Sequence, residues 1–107
     1  MKLGIIISTN EPETVWNAFR FAVTAQRKKH TVKVFLLGKG VESDGLQDSR
    51  FDIKHQWDAF LSHDGEILAC GTCLKLRGKG ETATCSISTM EELLQLVEES
   101  DKVVSFG

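Results

Sequence analysis

Residues 1–37 read MKLGIIISTNEPETVWNAFRFAVTAQRKKHTVKVFLL, and the order of patterns in this stretch decides the fold. Lys2 to Ser8 is an apolar, β-branched run. It is too short for a signal-peptide core and far too short for a membrane span, so it reads as a buried strand. Thr9-Asn10-Glu11-Pro12 turns the chain into a helix. Pro12, the only proline, suits a first helical turn, where its missing N–H costs little. Glu11 and Glu13 suit the positive end of that helix. Val15, Trp16, Phe19, Ala22 and Val23 recur at three- and four-residue spacing, and the stripe fades at Gln26. The basic run Arg27-Lys28-Lys29-His30 closes the helix at its negative end. Thr31 to Leu37 is a second strand, stopped by Gly38-Lys39-Gly40. Strand, helix and strand in this order form the unit of a parallel sheet.

The pattern continues outward. Val41 to Ser49 reads as an irregular loop. Phe51 to Leu61 carries Phe51, Ile53, Trp57, Phe60 and Leu61 at helical positions. Asp64-Gly65 is a turn, Glu66 to Ala69 a third strand, and Leu74 to Arg77 a short helix stopped by Gly78. Ala83 to Ile87 is expected as a fourth strand. Ser88-Thr89-Met90-Glu91 has capping-box spacing, with Thr89 to Glu92 as the alternative register. Met90, Leu93, Leu94 and Val97 then mark a last helix, and Lys102 to Phe106 a last strand. These alternations predict an α/β fold: a three-layer α/β/α sandwich on a mostly parallel five-stranded sheet, with right-handed crossovers, in one domain over residues 1–107. Ligands of such sheets bind beyond the carboxyl ends of the strands. The loops there begin near Ser8, Gly38, Cys70 and Ser88, and only Cys70 brings a thiol.

Thirteen basic residues stand against fifteen acidic ones, a formal net charge of −2, with no long basic tract. Nothing in this balance favours a nucleic-acid or membrane partner. The N-terminal run lacks the features of a signal, which implies a cytoplasmic location, and there three cysteines are expected to be reduced thiols. Gly38-Lys39-Gly40 lacks the spacing of a phosphate-binding loop. No nucleotide, flavin or haem motif is present, so no cofactor is expected.

The candidate chemistry lies in Cys70-Gly71-Thr72-Cys73, where a strand hands over to a helix. A helix N-terminus favours thiolate over thiol, and the thiolate is the nucleophile. Gly71 removes bulk beside Cys70, and Lys75 and Arg77 add positive potential. Cys70 is the candidate nucleophile. Cys73 is either a resolving thiol or a packing residue. Cys85 falls in the expected fourth strand and reads as structural. Thiol–disulfide exchange of the thioredoxin sort also uses a strand–CxxC–helix unit, but that fold sets a cis-proline opposite the pair, and this chain has no proline after Pro12. Zinc would need a second close-spaced ligand pair beside Cys70, Cys73 and Cys85, and His55 and His63 do not supply one. Asn10 and Glu11 could line the site, although helix capping explains them. Lys39 and Glu42 read as a solvated loop, and Trp16 and Trp57 as core.

With these residues in view, the chain resembles the DsrE/DsrF-like family, which includes sulfur-relay subunits of TusD type and YedF-type domains. The resemblance runs almost end to end. It covers the opening strand and helix, Gly38-Lys39-Gly40-Val41, the segment Cys70 to Gly78, Ser86 to Glu91, and Asp101 to Gly107. In the sulfur-transferring members, the persulfide cysteine lies eight residues before the Gly of a closing Arg-Gly. Cys70 stands eight residues before Gly78, so the resemblance assigns it that role. It further implies a carrier that passes sulfur to protein partners, a trimeric or hexameric homo-oligomer or a hetero-oligomer, and a strand order in which the third and fourth strands are not neighbours. The Gly71-Thr72-Cys73 insertion replaces the alanine-rich helix start of the relay subunits. A second thiol so placed opens the reading of a dithiol–disulfide redox protein, and a non-catalytic assembly subunit is the competing class.

Overall fold

The computed structural model describes residues 1–80 and 85–107. Strands β1 (Lys2–Ile7), β2 (Thr31–Leu36), β3 (Glu66–Cys70), β4 (Ser86–Ser88) and β5 (Lys102–Phe106) form one sheet in the order β4-β3-β2-β1-β5. Every pairing is parallel. The helices are α1 (Pro12–Arg27), α2 (Ile53–Ser62), α3 (Gly71–Leu76) and α4 (Met90–Glu99), and a 3₁₀ segment spans Gly38–Gly45. The fold is therefore the α/β class expected, with the sheet parallel throughout. The start of the expected fourth strand, at Ala83, lies outside the described residues.

The register explains the core. Leu3, Ile5 and Ile7 stand level with Val32, Val34 and Leu36, and Val34 and Leu36 with Ile67 and Ala69. Alternation sends all eight to one face, and all eight are buried. Val15, Ala18, Phe19, Ala22 and Val23 of α1 and Ile53, Trp57 and Phe60 of α2 complete this core, with Phe19 against both Trp57 and Phe60. The α1 stripe does not fade at Gln26. That side chain is buried, and its Nε2 donates to the carbonyls of Phe60 and His63, so an amide ties α1 to the end of α2. Helix α2 starts at Ile53 rather than Phe51 because Asp52 caps it, accepting from the His55 N–H. Phe51 instead packs on Trp16.

Two expectations are corrected. β3 and β4 are hydrogen-bonded neighbours, with Cys70 level with Ser88. Cys85 still lies away from Cys70, because it precedes Ser88 by three positions, about 10 Å along a strand. Helix α4 also turns a different row inward from the one its pattern suggests. Leu96 is buried and Leu93 half-buried, whereas Met90, Leu94 and Val97 are 58%, 59% and 41% exposed. Its cap is Thr89, which accepts from the Glu92 N–H, so the second capping register holds.

Candidate functional site

Three strand-end loops meet at the carboxyl edge of the sheet: Ser8–Asn10 after β1, the 3₁₀ segment after β2, and the β3–α3 junction. Cys70 is both the last residue of β3 and the N-cap of α3, and its side chain makes no capping bond. It is buried, at 3% exposure. Cys73, on the first turn of α3, is half-buried and packs on the core. The two side chains are close enough for Cys70 to influence Cys73, and both are thiols, not a disulfide. The backbone N–H of Gly38 donates to the Cys73 sulfur at 3.3 Å. Gly38 adopts φ +56°, a conformation that glycine takes without strain.

The charged groups nearby are ordered. Arg77 donates through Nε to Glu42 Oε2 at 2.7 Å and through Nη1 to the Cys73 carbonyl at 3.1 Å. Asn10 Nδ2 donates to Glu42 Oε1 at 3.3 Å, so Glu42 joins the loop after β1 and the 3₁₀ segment to the C-terminal end of α3. Lys79 donates to Asp44 at 2.6 Å and to the Val41 carbonyl at 3.1 Å, a second tie between the same two loops. Glu42 is thus a partner of the site rather than part of a solvated loop. Its carboxyl is held below the usual range, first by the Arg77 hydrogen bond and then by Asn10. Glu11 does what its capping role requires, accepting from Glu13 and Thr14 N–H groups.

The electrostatics at Cys73 are set by its surroundings. Cys73 holds its proton above the ordinary thiol range, because burial dominates and the Cys70 thiol adds to it. The Gly38 N–H and the Arg77 charge pull the other way without prevailing. Helix α3 has only six residues, so its dipole is small. Alkylation needs thiolate. Site-resolved iodoacetamide labelling of Cys73 is therefore expected to rise with pH along a curve whose midpoint lies above that of a free cysteine peptide. Cys70→Ala removes one cause of the shift and moves the midpoint down. A wild-type midpoint at or below the peptide value contradicts this picture.

Gly71 has a packing role that its place beside the thiol does not suggest. A β-carbon there would stand 3.0 Å from Ile87 Cγ2 and 3.3 Å from the Ser88 carbonyl oxygen, so its bareness lets α3 begin against the end of β4. Among the described residues, no three His, Cys, Asp or Glu side chains group to hold a metal ion. An open hollow of about 440 Å³ is lined by residues 44–54 and does not touch either thiol.

The model of the DsrE/DsrF-like family matches residues 1–106. The chain belongs to the DsrE/DsrF-like family. An uncharacterised protein of Methanocaldococcus jannaschii, MJ0989, is 31% identical over 115 residues, covering 99% of this chain and all of that protein. Another, MK0008 of Methanopyrus kandleri, is 31% identical over 100 residues, covering 88% of this chain and 83% of its own length. The crystal structure of the YchN protein of E. coli superposes with a TM-score of 0.83 at 23% identity, over 99% of this chain and all of that one, and shares the fold. Among the described residues, no helix of this DsrE-like chain is long and apolar enough to cross a membrane.

Proposed function

We propose that this DsrE-like chain is a sulfur carrier whose Cys70 accepts sulfane sulfur as a persulfide and passes it to a partner thiol. The observation that supports this most is the pairing of two thiols at the carboxyl edge of β3, one at the strand end and the other held by the Gly38 N–H. In uptake, the Cys70 thiolate attacks a polysulfide sulfur, a new S–S bond forms, and the shortened polysulfide leaves as an anion. In delivery, a partner thiolate attacks the outer sulfur, its own persulfide forms, and Cys70 leaves as thiolate. Cys73 keeps its proton at neutral pH and is a hydrogen-bond donor available to charge developing on the neighbouring sulfur. If Cys73 is itself deprotonated, it can attack the inner sulfur, closing a Cys70–Cys73 disulfide and expelling HS⁻. Cys70 is 3% exposed, so a donor reaches it by displacing α3, in which Leu74 alone is fully buried.

Cyanide strips sulfane sulfur from a persulfide as thiocyanate, and that reaction tests the carrier reading. Polysulfide-treated, desalted protein is expected to yield close to one thiocyanate per chain. A yield at the level of a cysteine-free control rules out the carrier.

The outer face of α4 suggests how such a carrier meets its partners. Met90, Leu94 and Val97 recur at i, i+4 and i+7 and are exposed. We infer that this stripe is a protein-contact face and that the chain forms a homo-oligomer, trimeric or hexameric, or a hetero-oligomer through it. Leu94→Glu is expected to lower the sedimenting mass of the purified protein. A wild-type chain that already sediments as a monomer excludes the homo-oligomer.

A further inference from the structure

We propose that Glu42 is a positioning residue for the thiol pair: its carboxylate tethers Arg77 across α3 and offsets the positive field that Arg77 places on Cys73. Among the described residues, Arg77 is the one cation bonded to the Cys73 residue itself, through the carbonyl at 3.1 Å. A bare guanidinium so close favours thiolate. Paired with a carboxylate at 2.7 Å, it becomes a near-dipole whose field falls off faster with distance. The other groups around Cys73 do not replace it. Cys70 faces it from β3 and opposes a second negative charge, and Gly38 contributes an N–H from the 3₁₀ segment. Lys79 is engaged by Asp44 and the Val41 carbonyl, and Lys39 and Lys75 are exposed. Asn10 holds the second Glu42 oxygen, which fixes where the counter-charge sits. Glu42 thereby adds to the burial that favours the Cys73 thiol while Arg77 stays in place, so any partner that draws Glu42 away raises the thiolate fraction.

The inference rests on the Cys70–Cys73 pair being the working site, but its test needs no sulfur transfer. Cys73 is alkylated across a pH series, with the site resolved by peptide mass, in wild type, E42Q, E42D and R77Q. Gln keeps an acceptor oxygen for Arg77 and removes the charge. E42Q is expected to lower the Cys73 midpoint by about half a pH unit, roughly threefold faster labelling below the midpoint, as befits a partly exposed pair. R77Q is expected to raise it, and E42D to restore the wild-type curve. The E42Q shift shrinks as salt is added, which a purely structural effect would not do. Should E42Q not fold, Asn10→Asp, which adds a carboxylate beside Glu42, must raise the midpoint. An E42Q midpoint equal to or above wild type, or an Asn10→Asp midpoint that fails to rise, overturns the inference. Absence of persulfide formation in wild type overturns the carrier reading and leaves this one standing.

Discussion

Cys70→Ser is expected to abolish sulfur uptake, lowering cyanide-releasable sulfur at least tenfold, while the protein stays folded. The two halves of this expectation have separate physical grounds. Serine at the N-cap of a helix is favourable, and Cys70 occupies the N-cap of α3 without a capping bond, so the substitution supplies one. The hydroxyl is similar in size to the thiol it replaces but is a poor nucleophile at neutral pH, so the persulfide has nowhere to form. Cys73→Ser is the informative companion. It leaves the acceptor sulfur in place, so uptake persists, but it removes the thiol that can expel HS⁻, so sulfide release from the loaded protein falls. Uptake retained in Cys70→Ser and lost in Cys73→Ser would exchange the two roles.

Gly40→Ala is expected to be among the most damaging single changes to the fold. The 3₁₀ segment crosses the carboxyl end of β1, where the Ile7 carbonyl accepts from the Leu37 N–H and the Leu37 carbonyl accepts from the Gly40 N–H. A β-carbon on Gly40 would overlap the Ile7 carbonyl oxygen and approach its carbon to 2.8 Å. Both obstacles are backbone at a strand end, so neither can rotate aside. The segment would have to lift, carrying with it Val41 and Ser43, which are buried, and Glu42, which holds Arg77. Overpacking of this kind costs about 3 kcal/mol. That corresponds to a fall in Tm on the order of 15 °C for a domain of this size. Circular dichroism melting measures it directly, and a Tm within a few degrees of wild type would show that the loop has room to yield. Gly45→Ala is the control, since a β-carbon there meets nothing within 4 Å.

Much of the fold was legible because it rests on short-range periodicity. The β1–α1–β2 unit, the Asp64-Gly65 turn and the strand running into Cys70 all follow from neighbours in the chain. The misreadings share a cause, which is that a pattern says what an element is before it says what the element faces. Gln26 looked like the end of an apolar stripe, and it is buried because α2 offers two carbonyls to its amide. Helix α4 has more apolar positions than its inner row needs, and the surplus lies outside. The adjacency of β3 and β4 was expected otherwise from the resemblance alone.

At the site, the thiols announced themselves by type and spacing, and the groups around them did not. Glu42 and Arg77 are 35 residues apart, as are Gly38 and Cys73, and no local signal links either pair. Only the parallel order of β1, β2 and β3 brings their three end loops together. The direction of the Cys73 shift was equally hidden. Proximity to a helix start and to Arg77 argues for a thiolate, and burial reverses the outcome.

The most direct test of the central claim is the intact mass of the wild-type protein after treatment with a sulfane-sulfur donor such as polysulfide. A gain of one sulfur atom per chain is expected, since a persulfide is a reversible cap on a reactive thiol. A loss of two hydrogens, with no sulfur retained, would contradict it and make Cys70 and Cys73 a dithiol–disulfide switch. An unchanged mass would contradict it as well, and the chain would then be an assembly subunit with inert thiols.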